Sequence, residues 1–469
     1  MKLEPDRMKP ETDSLHDRLV SALESADEAS LASTLTKAHA ADIAESFELL
    51  SDEERSQVLF ALPSHTAAEV VVMLDEAVRS DIVDELDTES LTEIVSELPP
   101  DDAADMLGEL SDEEVGEILE HIEAEQSDKI EELLEYDANT AGGIMTPEVV
   151  AVPATKSVAD ATESVREATQ DEELHEIYIV DDDQKLIGTV PLRRLVTNPP
   201  STRLEAICDR DPVTVYAGDD QETVVQIIRK YDVMSAAVVD ENDRLLGRIT
   251  HDDLLDVAEE EAAEDLYRMA GTDASEFETS SVFRAARVRL TWLLPCMFGM
   301  LITATVLKIS AQKFDLALFT AFALFVPMIG AMGGNSGIQI STVIVRGFAT
   351  GELGSTMLLR SLLREGRIAL TIAPVCGMLA WLLVSAFFPF FRRLDPASMR
   401  IDDFSRIALA VGSGMTAAIL IAAVLGILLP FMFRRLGIDP AIASGPLITT
   451  MNDVLSVAIY MTLAMLIAK

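Results

Sequence analysis

The chain has 469 residues, long enough for several domains, and a formal charge of −44. That charge is lopsided: all but eight of the 80 acidic residues, and 20 of the 36 basic ones, precede position 284, and the remainder is apolar and weakly basic. The balance excludes nucleic acid as a partner, because phosphates need a basic surface.

Residues 1–12 are polar and charged and read as free of a signal peptide. Beyond them a period of twelve governs the sequence. Leu50, Leu62, Leu74, Leu86, Leu98, Leu110, Ile122 and Leu134 hold one phase. Val58, Val70, Ile82, Ile94, Met106, Ile118 and Ile130 hold another, eight residues later. Ser51, Pro63, Asp75, Asp87, Pro99, Ser111 and Glu123 follow the first set, and most of these types start helices. Each unit reads as one helix of about two turns and a tight turn. Units so short cannot bury a face alone, so they are expected to stack into an α-helical superhelix over 1–136. Its outer faces are acidic, and Asp101, Asp102 and Asp105 form one of them. For any single acid of this kind, a solvated helix start is the ordinary explanation.

A second repeat, offset by 59 residues, runs from about 145 to 257. Ile179 and Val180 match Val238 and Val239; Leu186, Ile187 and Gly188 match Leu245, Leu246 and Gly247. Each copy reads as an extended segment, a helix, a strand, a polar turn, a strand and a helix. This tandem βαββα order resembles a pair of CBS domains, here over 137–205 and 206–257. CBS pairs often bind adenine nucleotides, which leaves ATP open as a ligand, although no glycine-rich phosphate loop is present. Neither acidic turn is an EF-hand, since Lys185 and Arg244 stand where a third ligand belongs.

Next comes a strongly charged helix and linker, with 258–283 as the connecting segment. Asp252, Asp253, Asp256, Glu259, Glu260, Glu261, Glu264 and Asp265 crowd this helix, which is expected to end at Gly271. Segments this close to a membrane are usually basic, because anionic lipid attracts Lys and Arg. A solvated spacer helix and a cation-neutralised one are equally weighted readings, and hard divalent ions suit oxygen ligands.

Five apolar stretches follow, at roughly 290–310, 316–345, 367–391, 405–433 and 446–468. Each is long enough to cross lipid, giving a five-helix, all-α transmembrane domain over 284–469. Arg284, Arg287, Arg289, Arg346, Arg360, Arg364, Arg367, Arg434 and Arg435 fall on one side. The positive-inside rule then places the N-terminal domains in the cytosol and the C-terminus outside.

Two places in these spans carry chemistry. In the second, Pro327, Gly330, Gly333, Gly334 and Gly337 weaken a regular helix, and Asn335 and Gln339 add amide oxygens. Such glycines serve either helix packing or irregular backbone lining a cavity. In the fifth, Asp453 is the one carboxylate well inside a stretch. A structural ion pair would explain it, but a cation site does so better, because a buried charge needs an aqueous path or a partner. Thr449, Thr450, Asn452 and Ser456 sit beside it and are expected to orient hydrating water. A lone carboxylate suits Mg2+, which keeps several waters when bound. Cys208, Cys296 and Cys376 show neither metal nor redox spacing and read as buried thiols in a reducing compartment. The six histidines form no H-E-x-x-H or Ser-His pattern, so an enzyme is the weakest reading.

Taken in order, the pieces resemble the MgtE family of magnesium transporters and channels from end to end. The matching motifs are L-P-P-D-D-A-A-D at 98–105, Y-D-A-N-T-A-G-G-I-M-T-P at 136–147, E-E-E-A-A-E-D-L at 259–266, G-G-N-S-G-I-Q at 333–339, and D-P-A-I-A-S-G-P-L-I-T-T-M-N-D at 439–453. Ile338 departs from the polar residue expected of many relatives at that place. The resemblance implies a homodimer in the cell membrane, with a pore along the two-fold axis lined by the second and fifth spans. Gly333, Gly334, Asn335, Gln339 and Thr449 are the wall residues expected from it. It also implies that Asp453 binds hydrated Mg2+ and that the acidic helix is a plug beside the pore. Internal Mg2+ is then expected to bridge carboxylates of the repeat domain, the CBS pair and the plug and so close the pore; the candidates are Asp101, Asp102 and Asp105 on the first, Asp253 and Asp256 on the second, and Glu261, Glu264 and Asp265 on the plug, facing Asp439. The rivals are a membrane-anchored CBS sensor of nucleotide or ion without transport, and a broader carrier of Co2+ or Mn2+.

Overall fold

Short helices cannot be stable alone, and here local capping of several of them adds to their packing. Helices begin at Ala40, Asp52, Ser64, Glu76, Thr88, Pro100, Asp112 and Ala124, a step of twelve throughout. His39, Ser51, Pro63, Asp75, Asp87, Pro99, Ser111 and Glu123 are their N-caps. Ser51 with Glu54, and Ser111 with Glu114, form capping boxes that satisfy orphan N–H groups. Val58, Val70, Ile82, Ile94, Met106, Ile118 and Ile130 are all buried, so the second phase of the period is the core stripe. Helices two apart in sequence pack together, which builds the superhelix.

This computed structural model describes residues 11–25, 28–108, 110–168, 174–273, 282–354, 357–394, 403–443 and 445–468. The chain divides into two compact units, Met1–Glu259 and Glu260–Lys469.

In the first unit two three-stranded sheets follow the superhelix. Ala151–Pro153 pairs parallel with Glu176–Val180, which pairs antiparallel with Leu186–Pro191. Thr214–Tyr216, Ala236–Val239 and Leu245–Ile249 repeat that arrangement. The repeat extends to detail: a register shift falls at Ile179/Val180 and again at Val238/Val239. Gln184 and Asp243 both take positive φ, 62° and 63°, in the hairpin turns. The two turns bond each other, Leu186 N–H to the Asp243 carbonyl and Leu245 N–H to the Gln184 carbonyl. The segment 137–147 lies on the second copy, with Ala141 N–H bonded to the Asp219 carbonyl and Thr146 N–H to that of Arg248. One hydrophobic core accordingly runs from the superhelix through Ala141 and Met145 into Val215, Val238 and Ile249, while the first copy keeps a core of its own.

In the second unit five helices are long and apolar enough to cross a membrane: Val282–Ala311, Leu316–Ala349, Leu358–Phe387, Ser405–Arg435 and Pro446–Ala468. The fourth packs against the second, third and fifth. The second is interrupted, but not at its glycines. It breaks between Leu316–Ala323 and Val326–Ala349, just before Pro327, and the glycine run is regular helix. Proline fits the first turn of a helix, where its missing N–H is not needed. The Tyr460 hydroxyl closes the break by donating to the Phe322 carbonyl at 3.0 Å.

Candidate functional site

The helix Pro100–Leu107 has Pro99 at its cap and Pro100 in its first turn. Burial of Ala103, Ala104, Met106 and Leu107 fixes its rotation. Asp101 and Asp102 are left half-buried and Asp105 exposed. A second helix, His251–Ala270, is anchored in the same unit by buried Leu254 and Val257. Asp253 caps its start, accepting from the Thr250 N–H at 3.1 Å and from the Thr250 hydroxyl. Burial pushes the Asp101 carboxyl up to about 7, with Asp102 and Asp253 adding to it. Burial, then Asp105 and Asp253, push Asp102 up to about 6 against the opposing pull of Arg79. Asp253 is raised by burial, and Asp256 by burial and then by Asp253 and Asp252. The Asp101 Oδ1 is buried without a hydrogen-bond partner. Carboxylates crowded in this way are stabilised by a proton or by a cation. The donor set, all hard oxygen, fits a divalent ion of the Mg2+ kind.

A second acidic group lies in the other unit, on the later half of the same helix. Glu264 and Asp439 are brought together through a side chain: Arg268 pairs with Glu264 and, at 2.5 Å, with Asp439 Oδ2. Asp439 also caps the short turn Pro440–Ala443, accepting from the Ala441 N–H at 2.7 Å. Asp265 is pushed up to about 6 by burial, then by Asp439 and Glu261. Gly271 ends the helix at φ +80°, as expected, and Thr272 N–H returns to the Tyr267 carbonyl at 3.0 Å. No side chain would fit at this end: a β-carbon on Gly271 would meet Pro446 Cγ at 2.5 Å. Arg268 was legible only as the i+4 neighbour of Glu264, a spacing that favours such pairs.

The third group lies between the second and fifth spans. Gly330, Gly333, Gly334 and Gly337 make one stripe, and each meets a fifth-span side chain. A β-carbon at Gly330 would stand 3.0 Å from Asp453 Oδ1, at Gly334 3.3 Å from Thr449 Cγ2, and at Gly337 3.6 Å from Ile448. At Gly333 it would overlap Asn452 Nδ2 and stand 2.9 Å from Ser456 Oγ. Glycine is needed for this close approach at Gly333, and the contact is tight at Gly330, as in membrane helix pairs generally. Asp453 and Thr449 are half-buried, and Asn335 and Gln339 are exposed on the second span. Ile338 is partly buried against Leu429 and Ile448.

The expectation that Thr450, Asn452 and Ser456 orient water needs correcting. Thr450 is buried, its methyl against Gly299 of the first span and its hydroxyl donating to the Pro446 carbonyl at 2.8 Å. Asn452 and Ser456 are fully buried, and the Ser456 hydroxyl donates to Asn452 Oδ1 at 3.3 Å. Only Thr449 remains beside Asp453 in a half-open position. A further acid escaped the sequence reading: Glu365 is 6% exposed in the third span, beside Arg364 at 3.8 Å. The helix begins earlier than its apolar stretch, which is why composition left Glu365 outside. Among the described residues, no three His, Cys, Asp or Glu side chains converge as a cage for a bare metal ion.

Three family models match the chain: a divalent cation transporter model over 326–463, the MgtE intracellular N domain over 38–139, and the CBS domain over 141–200 and 204–260. The chain is 34% identical over 335 residues to the magnesium transporter MgtE of Enterococcus faecalis, covering 71% of this chain and 70% of that one. It is 34% identical over 344 residues to the magnesium transporter MgtE of Thermus thermophilus, covering 72% of each. Bacillus subtilis has a magnesium transporter MgtE that is 31% identical over 333 residues, with 71% and 70% covered. Among solved structures, the cytosolic domain of the Mg2+ channel MgtE in complex with ATP is 33% identical. It covers 52% of this chain and 99% of its own, with a TM-score of 0.49.

Proposed function

The chain belongs to the MgtE family of divalent cation transporters, and on that premise we propose that it conducts Mg2+ across the cell membrane, with Asp453 holding the hydrated ion. The observation that carries the reading is the Asp453 carboxylate on the glycine stripe, against Gly330. A carboxylate at that depth is costly unless it faces an aqueous path. Mg2+ gives up water reluctantly and is often held through one or two carboxylates, so a single acid per chain is apt. Exposed Asn335 and Gln339 support a second copy of the chain across that path, since bare amides are disfavoured against lipid. Gly333, Gly334, Asn335, Gln339 and Thr449 form the wall in this homodimer. Entry needs no energy source, because a divalent ion gains about 4.6 kcal/mol per 100 mV of inside-negative potential. The N-terminal domains are cytosolic and the C-terminus is outside.

Cytosolic Mg2+ is also the regulator. When it is abundant it neutralises Asp101, Asp102, Asp105, Asp253 and Asp256 in one unit, and Glu261, Glu264, Asp265 and Asp439 in the other. One helix, His251–Ala270, carries members of both groups. When Mg2+ falls, the acids repel and the closed form loses its support, so the ion acts through differential binding to two states. ATP at the CBS pair belongs to the proposal on the strength of the tandem fold alone.

The test is Mg2+ uptake into liposomes holding the purified protein, wild type beside Asp453→Ala. Uptake by the wild type that falls to background in a folded mutant is the expected result. An inert wild type at low Mg2+ on the cytosolic side would favour the anchored sensor instead.

A further inference from the structure

The contact between the second and fifth spans is graded along its length. It is loosest at Gly337, tighter at Gly334 and Gly330, and tightest at Gly333, where the Asn452 amide and the Ser456 hydroxyl converge. Asn452 is 0% exposed. One end of its amide, Oδ1, is satisfied by Ser456, and the other, Nδ2, has no hydrogen-bond partner. A buried unpaired amide end destabilises a fold, and an apolar side chain of equal size would avoid that penalty. A polar residue at such a place points to a role besides packing.

The position suggests the role. Asn452 directly precedes Asp453, so the seat of one fixes the rotation and distance of the other. Asn452 and Ser456 are one turn apart and form a ridge; Thr449 and Asp453, also one turn apart, form the adjacent ridge. The first ridge bears on Gly333, and the second faces Gly334 and Gly330. Whatever sets the spacing at Gly333 therefore sets how far the Asp453 carboxylate stands from the second span.

We propose that Asn452, braced by Ser456, is the positioning residue of the ion site: its amide bears on Gly333 and sets the gap at which Asp453 meets the second span. The inference rests on the reading of Asp453 as the ion-holding group. Asn452 itself touches no ion and acts through the placement of Asp453.

A size swap tests this in the full-length protein. Gly333→Ala adds a β-carbon where Asn452 already stands. It is expected to raise the half-saturating Mg2+ concentration for liposome uptake about tenfold, because the site is displaced. Asn452→Ala in that background removes the obstructing amide and is expected to return the half-saturating concentration to within threefold of wild type. Asn452→Ala alone opens the gap from the other side and is expected to weaken saturation a few-fold. Such sign-reversing coupling marks a direct contact. The proposal is overturned if Gly333→Ala leaves saturation unchanged, or if the double variant is no better than Gly333→Ala. Thermal unfolding of the same four proteins separates the two layers of the argument. If Asp453→Ala transports normally, the ion-site reading fails. The spacing contact would then still be upheld by compensation in melting temperature, and sunk by simple additivity.

Discussion

The first half of helix His251–Ala270 presents Asp253 to the group of Asp101 and Asp102, whereas its second half brings Glu264 and Asp265 to Asp439. Both groups are acidic and partly buried. In the first, burial outweighs the cations beside it, Arg79 near Asp102 and Arg248 near Asp253, and the carboxyls are raised. The second contains its own cation, because Arg268 reaches Glu264 and Asp439 at once. Acids raised in this way are stabilised by protons or by added ions. A group with an internal guanidinium is partly satisfied already, and an incoming divalent ion must compete with it. The two halves of one helix should therefore answer Mg2+ with different strength.

The largest effect is expected in the first group. A hundredfold excess of Mg2+ over its dissociation constant should stabilise the first unit by about 2.7 kcal/mol. Asp101→Asn combined with Asp253→Asn should raise stability in the absence of divalent ions and abolish most of that Mg2+ response. Thermal unfolding of the full-length protein with and without Mg2+ reads both, and an undiminished response in the double variant would break the comparison.

A pH series should separate the same components without mutation. Asp101 and Asp102 titrate near 7 and 6 when folded, against an ordinary value of 3.8. The folded form then binds more protons than the unfolded form between those limits, so stability falls as pH rises from about 4 to about 7. Added Mg2+ should restore stability at pH 8 and do little at pH 5, where protons already occupy the site. A flat profile for the first unit without divalent ions would contradict the crowding.

Arg268→Gln should have the opposite sign to the Asp101 and Asp253 variants. Removing the internal cation leaves Glu264, Asp265 and Asp439 uncompensated, so Mg2+ should inhibit uptake at roughly fivefold lower concentration, about 1 kcal/mol for a partly exposed pair. Arg268→Lys should behave like wild type. A rightward shift for Arg268→Gln would mean that the guanidinium is a simple tether for the closed form. The smallest effect is expected from Ser111→Ala, which removes a capping box that belongs to neither group. It should cost about 1 kcal/mol of stability and leave the Mg2+ midpoints where they are.

Local pattern carried much of this molecule. The helices start where the period of twelve and its capping residues put them, because a short helix depends on side chains within its own first turn. The tandem sheets, their matched bulges and their positive-φ turns follow from a sequence offset that repeats backbone demands as well as hydrophobicity. Five spans were visible for a similar reason, since crossing lipid needs long uninterrupted apolar runs. Glu365 marks the limit of that signal: helix can extend beyond the apolar stretch that announces it, and burial there depends on neighbouring helices.

The sequence by itself determined which segments are helix, strand and span, and which carboxylates are plentiful, because each of these depends on residues close together in the chain. Tertiary structure alone decided which acids are crowded. Asp101 lies 152 positions before Asp253, and Arg268 lies 171 before Asp439. It also decided that the glycines of the second span form a seat rather than a break. A glycine is ambiguous in sequence: it permits an irregular backbone and it permits close approach. Only the arrival of Asn452, Asp453 and Ser456 against that stripe makes it a contact surface, and that arrival depends on how two distant helices pack.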